Sequence, residues 1–136
     1  MTTATGIPVE SIAYTMKSDK PFADVCAALE EISPQNNFRV LAIHDVQQTL
    51  KEKGFDRQPL RIIEVCNAGF AHQALQKEFN VSLFMPCKFV VTETNGKVSV
   101  TLGRPSMIDM VMPESGLSEF AQEVEEKLMA IMKQAV

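Results

Sequence analysis

The chain predicts an α+β fold, an antiparallel sheet backed by helices and closed by a long C-terminal helix. Three observations carry this expectation. Asn95-Gly96 stands between Phe89-Val90-Val91 and Val98-Ser99-Val100, a short-range hairpin signal that makes those two strands antiparallel neighbours. Upstream, strand-like runs alternate with helical periodicity, but the hairpin breaks the all-parallel pattern of a Rossmann-type sheet. Downstream, Leu117, Phe120, Ala121, Val124, Leu128, Ile131 and Met132 recur at helical spacing, with Glu119, Glu123 and Glu126 on the opposite, acidic face.

Taken in order, Ser11-Ile12-Ala13-Tyr14-Thr15-Met16 alternates larger apolar residues with small or polar ones and reads as the first strand. Ser18-Asp19-Lys20-Pro21 announces a helix, because proline suits the first helical turn and the polar residues before it can cap. Phe22, Val25, Cys26, Leu29 and Ile32 form its buried stripe, which makes Cys26 a core residue. Ser33 to Asn37 reads as a loop, and Phe38 to Ile43 as the second strand.

Asp45 caps a short helix that runs to Lys53, points Val46 and Leu50 inward, and stops at Gly54 in the left-handed conformation. Leu60 to Val65 is a dense β-branched strand. Asn67 then caps a third helix, with Phe70, Ala71, Ala74, Leu75 and Phe79 on its apolar face. Val81 to Thr94 reads as one long strand or as two broken near Pro86, since proline interrupts a ladder. Met107, Ile108, Met110, Val111 and Met112 make an apolar cluster that suits either the core or a contact surface. No repeat or linker divides the chain, so one domain over residues 1–136 is expected.

Composition narrows the function classes. The 136 residues are 46% hydrophobic and 22% charged, an ordinary globular balance. A net charge of −4 and no cluster of Lys and Arg argue against a nucleic-acid partner, which needs cations to displace counterions. No apolar run approaches the roughly 18 residues of a membrane span. Met1 to Pro8 lacks the charged and apolar regions of a secretory signal. Three cysteines without a repeating spacing fit free thiols in a reducing compartment, so a cytoplasmic protein is expected.

Two cysteine-bearing segments hold the candidate chemistry. Cys66 ends the strand Ile62-Ile63-Glu64-Val65 just before the cap Asn67, and Cys87 follows Met85-Pro86. The first turn of a helix favours a thiolate, whereas Glu64, on the same side of the strand as Cys66, opposes one. Of the two readings of Cys66, a packed, unreactive cysteine is the favoured one. Cys66 and Cys87 would form a redox pair only if their Cα atoms came within about 7 Å. His44 and His72, with these cysteines and Glu64, are candidate metal ligands, although none shows the close pairing of a C-x-x-C or H-x-x-x-H site. Arg104, between Gly103 and Pro105, reads as a turn residue or an anion contact. Neither a phosphate-cradling glycine loop nor a serine-centred elbow is present.

Glu64-Val65-Cys66-Asn67 with Ala71 and Leu75, then Met85-Pro86-Cys87 and the strand into Asn95-Gly96, resemble a small prokaryotic family catalogued as domain of unknown function 302. The resemblance runs from about Tyr14 to Pro105 and includes Asp45, Leu50 and Lys53-Gly54. The chain departs at Ala68, where the family often carries proline. The resemblance implies a TATA-binding-protein-like architecture and a homodimer. It brings no established activity and leaves the cofactor unknown, beyond an association of neighbouring genes with sulfur or redox metabolism.

Three functions follow as expectations. The first is a dimeric protein that binds a small molecule or metal in a pocket lined by Glu64, Cys66, Asn67 and Cys87. The second is a thiol-dependent redox or sulfur-transfer protein with Cys66 as nucleophile and Cys87 assisting. The third is a structural or interaction domain that docks a protein through its helical and methionine-rich surfaces.

Overall fold

The Asn95-Gly96 turn sets the middle of the sheet. In the computed structural model, which describes residues 6–136, both turn residues take positive φ, 52° and 80°. Their backbone matches the right-handed twist of the strands they join, which is why Asn-Gly suits a two-residue hairpin. The turn connects β4 (Cys87–Thr94) to β5 (Lys97–Gly103), with Thr94 paired to Lys97. Around this hairpin lie β1 (Ala13–Ser18), β2 (Arg39–Asp45) and β3 (Leu60–Cys66). The five strands run β1-β5-β4-β3-β2 across the sheet, and every neighbouring pair is antiparallel.

Strand alternation divides the sheet into two unlike faces. One presents Ile63, Val65, Phe89, Val91, Val100 and Leu102, all at 0% exposure. On it lie α1 (Phe22–Gln35) and α5 (Ser118–Ala135), which contribute Val25, Leu29, Leu128, Ile131 and Met132 to the same core. Each such side chain, fully buried, favours folding by about 1.5–3 kcal/mol. The other face carries Thr15, Lys17, Glu64, Lys88, Thr92, Ser99 and Thr101, none of them buried. There Thr15 and Thr101 hydrogen-bond across β1 and β5 at 2.9 Å.

The remaining helices are α2 (Val46–Lys51), α3 (Ala68–Lys77) and the single turn α4 (Ile108–Val111). The expected caps are made. Asp45 accepts from the Gln48 amide at 3.0 Å, and Asn67 accepts from the Phe70 amide at 3.0 Å. α2 stops at Lys51 rather than Lys53, and neither Val46 nor Leu50 is buried; Gly54 (φ 86°) closes the turn that follows, with the Phe55 amide returning to the Leu50 carbonyl.

Four further elements differ from the sequence expectation. The first strand begins at Ala13 rather than Ser11, because Val9–Ser11 forms a 3₁₀ turn. The segment Ser33 to Asn37 is not all loop, since α1 runs through Pro34 to Gln35. Its end is a Schellman motif: Asn37 takes φ 65°, the Phe38 amide reaches the Ser33 carbonyl at 2.9 Å, and Phe38 itself drops into the core. The chain between Val81 and Phe84 is a 3₁₀ turn, Phe79–Phe84, so β4 starts only at Cys87, after a cis Met85-Pro86 bond. Last, Leu75 and Phe79 are not inward. Glu78 is extended (φ −150°), which breaks the helical period and leaves Phe79 74% exposed.

Candidate functional site

A cavity of about 450 Å³ opens over the ends of β3, β4 and β5. Its walls come from α3, the Phe79–Phe84 turn, the Pro105–Met107 turn and the start of α5. The walls are largely apolar. Phe70 stands 6.3 Å from Phe38 and meets Phe120 edge-on at 5.3 Å, so three rings form a continuous aromatic side. Leu117 lines it from the cap of α5, Ala121 and Val124 from α5 itself, and Val81, Leu83 and Phe84 from the turn before β4. A volume of this size is in the range that holds small molecules.

Cys66, Asn67 and Cys87 all line this cavity. The strand ends bring them together: Val65 pairs with Cys87 across β3 and β4, and Cys66 follows one step on. The two cysteines belong to opposite faces of the sheet by alternation, and both line the cavity. All three cysteines are free thiols. Burial pushes the Cys66 thiol up. Cys87 goes to about 11, raised first by burial and then by the nearby Cys66, with Lys88 pulling the other way. Cys26 is raised by burial in the core, against the opposing charge of Arg61. The lining thiols are therefore neutral, weakly polar groups at physiological pH.

Asn67 is committed to the fold. Its side-chain oxygen caps α3, and its amide donates to the Asn37 carbonyl at 3.1 Å, which ties α3 to the end of α1. Glu64 is not brought to the cavity. It lies on the uncovered sheet face, where its carboxylate meets His44 Nε2 at 2.6 Å. His44 belongs to β2 and is more than half exposed, while His72 lies exposed on α3. The two histidines thus share no site with the cysteines. Among the described residues, no group of three or more His, Cys, Asp or Glu is arranged to hold a metal ion.

Arg104, a turn or anion residue by sequence, sits instead in a polar cluster with Glu125 and Ser106 that the sequence does not reveal by any motif. Arg104 lines the cavity, donates from Nη1 to Glu125 at 3.1 Å and from Nε to the Glu10 carbonyl at 2.7 Å, and lies over the Tyr14 ring. Glu125 also accepts from the Ser106 amide and hydroxyl at 3.1 and 2.6 Å. This cluster fastens the Pro105–Met107 wall to α5. Its signal was Glu125, which falls four residues after Ala121 and one after Val124, at the border of the buried stripe. The aromatic wall was harder to see, since Phe38, Phe70 and Phe120 come from three distant segments.

Among the described residues, no helix is long and apolar enough to cross a membrane. No curated protein matches the chain. Among solved structures it is similar to a chain described as the crystal structure of uncharacterized conserved protein DUF302 from Bacillus stearothermophilus. The two are 32% identical, with 92% of this chain and 98% of that one covered at a TM-score of 0.87. Residues 14–135 match the family described as Domain of unknown function DUF302, and the chain belongs to that family.

Proposed function

We propose that this protein binds a small, mainly apolar ligand in the cavity over the strand ends. The observation that carries the reading is the combination of about 450 Å³ of space with aromatic and aliphatic walls. A preformed apolar cavity gains affinity by taking apolar ligand surface out of water. The neutral thiols of Cys66 and Cys87 suit such a lining. They weigh against the thiol-dependent redox or sulfur-transfer reading, which needs a low-pKa nucleophile. The separation of His44 and His72 from the cysteines likewise turns the reading from a metal towards an organic ligand. Free cysteines support a reducing, cytoplasmic setting.

The test is a titration with the apolar dye Nile red, whose emission rises when it passes from water into an apolar site. Saturable one-to-one binding, reversed by small apolar competitors, is the expected result. Dye emission that never saturates while the protein stays folded would remove this function.

A second reading, a homodimer or protein-interaction domain, draws on a different observation. Phe79 (74%), Leu83 (76%), Met110 (42%) and Val111 (46%) are exposed. Sedimentation of the protein and of Leu83→Asp reads it directly. A dimer that dissociates in the variant supports this reading, and a monomer at high concentration ends it.

A further inference from the structure

The rings around the cavity are arranged for more than general apolarity. Four of the chain's eight phenylalanines, Phe38, Phe70, Phe84 and Phe120, line it. Phe70 and Phe120 stand 5.3 Å apart with their planes at 85°, and both are only partly buried. A flat ring laid parallel to either one therefore stands almost perpendicular to the other. Offset stacking and edge-to-face contact, the two favoured arrangements of aromatic pairs, are then met in a single orientation. Met85 and Met107 add thioethers to the wall, and sulfur packs favourably about 5 Å from a ring, often at its edge. An alkyl chain of equal area gains neither kind of contact. A charged ligand is served no better. Lys88 pairs with Glu64 across the strands and stands on the uncovered sheet face. Arg104 is held by Glu125, by the Glu10 carbonyl and over the Tyr14 ring, and Asn67 is committed at both ends.

We infer that the ligand is an uncharged aromatic ring system of two or three fused rings, held in the corner between Phe70 and Phe120. This rests on the ligand-binding reading above and adds the chemical class. An apolar cavity of roughly 150 Å³ takes one benzene. The cavity here is about 450 Å³, three times as large. An ionised group on the ligand would lose its water without gaining a free partner among the described lining residues, which is costly. Phe84 lines the cavity and is still 42% exposed, so aromatic surface continues from the wall to solvent, where a ring can enter.

The experiment is competition against bound Nile red by 2-naphthol, its saturated counterpart decahydro-2-naphthol, and 2-naphthoate at neutral pH. The first two share a carbon skeleton and a hydroxyl and differ in the π system, and the third adds a charge. 2-Naphthol is expected to displace the dye at roughly fivefold lower concentration than the saturated alcohol, as fits one or two aromatic contacts. 2-Naphthoate is expected to be weakest, because its charge must be desolvated. Phe120→Leu and Phe70→Leu, checked for folding by circular dichroism, are each expected to shrink the preference for 2-naphthol to within about twofold. Equal displacement by the two alcohols in the unaltered protein overturns the inference and leaves the apolar cavity standing, whether or not the variants fold. A preference that survives both substitutions overturns it too, as does stronger displacement by 2-naphthoate than by 2-naphthol. Failure of Nile red itself to bind removes both readings.

Discussion

Val65 and Cys87 stand directly opposite each other on β3 and β4, which puts Cys66 one register step beyond and on the other face of the sheet. The cysteines are neighbours along the strand ends without being a facing pair. Their environments differ as well, and site-resolved alkylation reads the difference. Cys87, with a pKa of about 11, is thiolate in only about one molecule in a thousand at pH 8. Iodoacetamide followed by mass spectrometry is expected to modify Cys66 first, Cys87 slowly until the pH approaches 11, and Cys26 only on unfolding. Fast modification of Cys87 at neutral pH would show a thiolate that this environment does not support.

The same shift fixes the sign of an alkaline effect. The Cys87 thiol has an ordinary value of 9.0 and is raised to about 11 in the fold, so the native state holds its proton longer than the unfolded chain. Its contribution is complete below pH 9 and disappears as pH rises from 9 to 11, on the order of 3 kcal/mol in all. Urea unfolding of the protein and of Cys87→Ala at several pH values isolates this, because lysines and tyrosine titrate in both. The variant is expected to start less stable and to lose less between pH 9 and 11. Parallel slopes would mean that Cys87 ionises as an ordinary thiol.

Local signals placed most of the fold. Asn95-Gly96, the caps Asp45 and Asn67, and Gly54 each satisfy a backbone demand within a few residues, so the sequence alone displays them. The C-terminal helix was equally plain, because one face is buried along its length, against Ala74 and Ile108 at Ala121 and in the sheet core from Val124 onward. Segment 79–86 was not, since Val81, Leu83 and Phe84 carry strand-like side chains but are held as a 3₁₀ turn beside α3. The site was half legible. Cys66, Asn67 and Cys87 could be placed because they punctuate strand ends, whereas Glu64 turned out to face His44 through a pairing of β2 with β3 that no spacing announces.

Glu125 is expected to matter more than any other surface-derived carboxylate. It is only 12% exposed in its ion pair and serves Arg104, the Ser106 amide and the Ser106 hydroxyl together. Glu125→Ala leaves a half-buried guanidinium and an amide without their acceptor, which costs about 2–4 kcal/mol. Glu125→Gln keeps an acceptor oxygen and is expected to recover part of that loss. Urea denaturation of the three proteins checks the order.

His44 gives the opposite expectation, although its contact with Glu64 is short. The histidine side chain is 54% exposed and the carboxylate 21%, so water competes for both partners. His44→Ala is expected to change stability by less than about 1 kcal/mol. Dye binding should also be unchanged, because neither residue lines the cavity. A large loss of binding would place the uncovered sheet face, rather than the cavity, at the centre of function.

Ala71 separates occupancy of the cavity from stability of the fold. It lines the cavity from α3, next to Phe70, and is only partly buried, so a larger side chain there extends into existing space. Ala71→Phe trades little helix propensity, roughly half a kcal/mol, against new apolar contacts with the aromatic wall. Its melting temperature is therefore expected to stay within a few degrees of the parent. Nile red affinity is expected to fall by at least roughly tenfold, because the ring occupies volume that the dye needs and each lost methylene-sized contact weakens binding by about 0.8 kcal/mol. Ala27→Phe, on the exposed side of α1 and away from the cavity, supplies the control for a surface aromatic. Equal loss in both variants would trace the effect to the added ring, and loss in Ala71→Phe alone would trace it to the cavity.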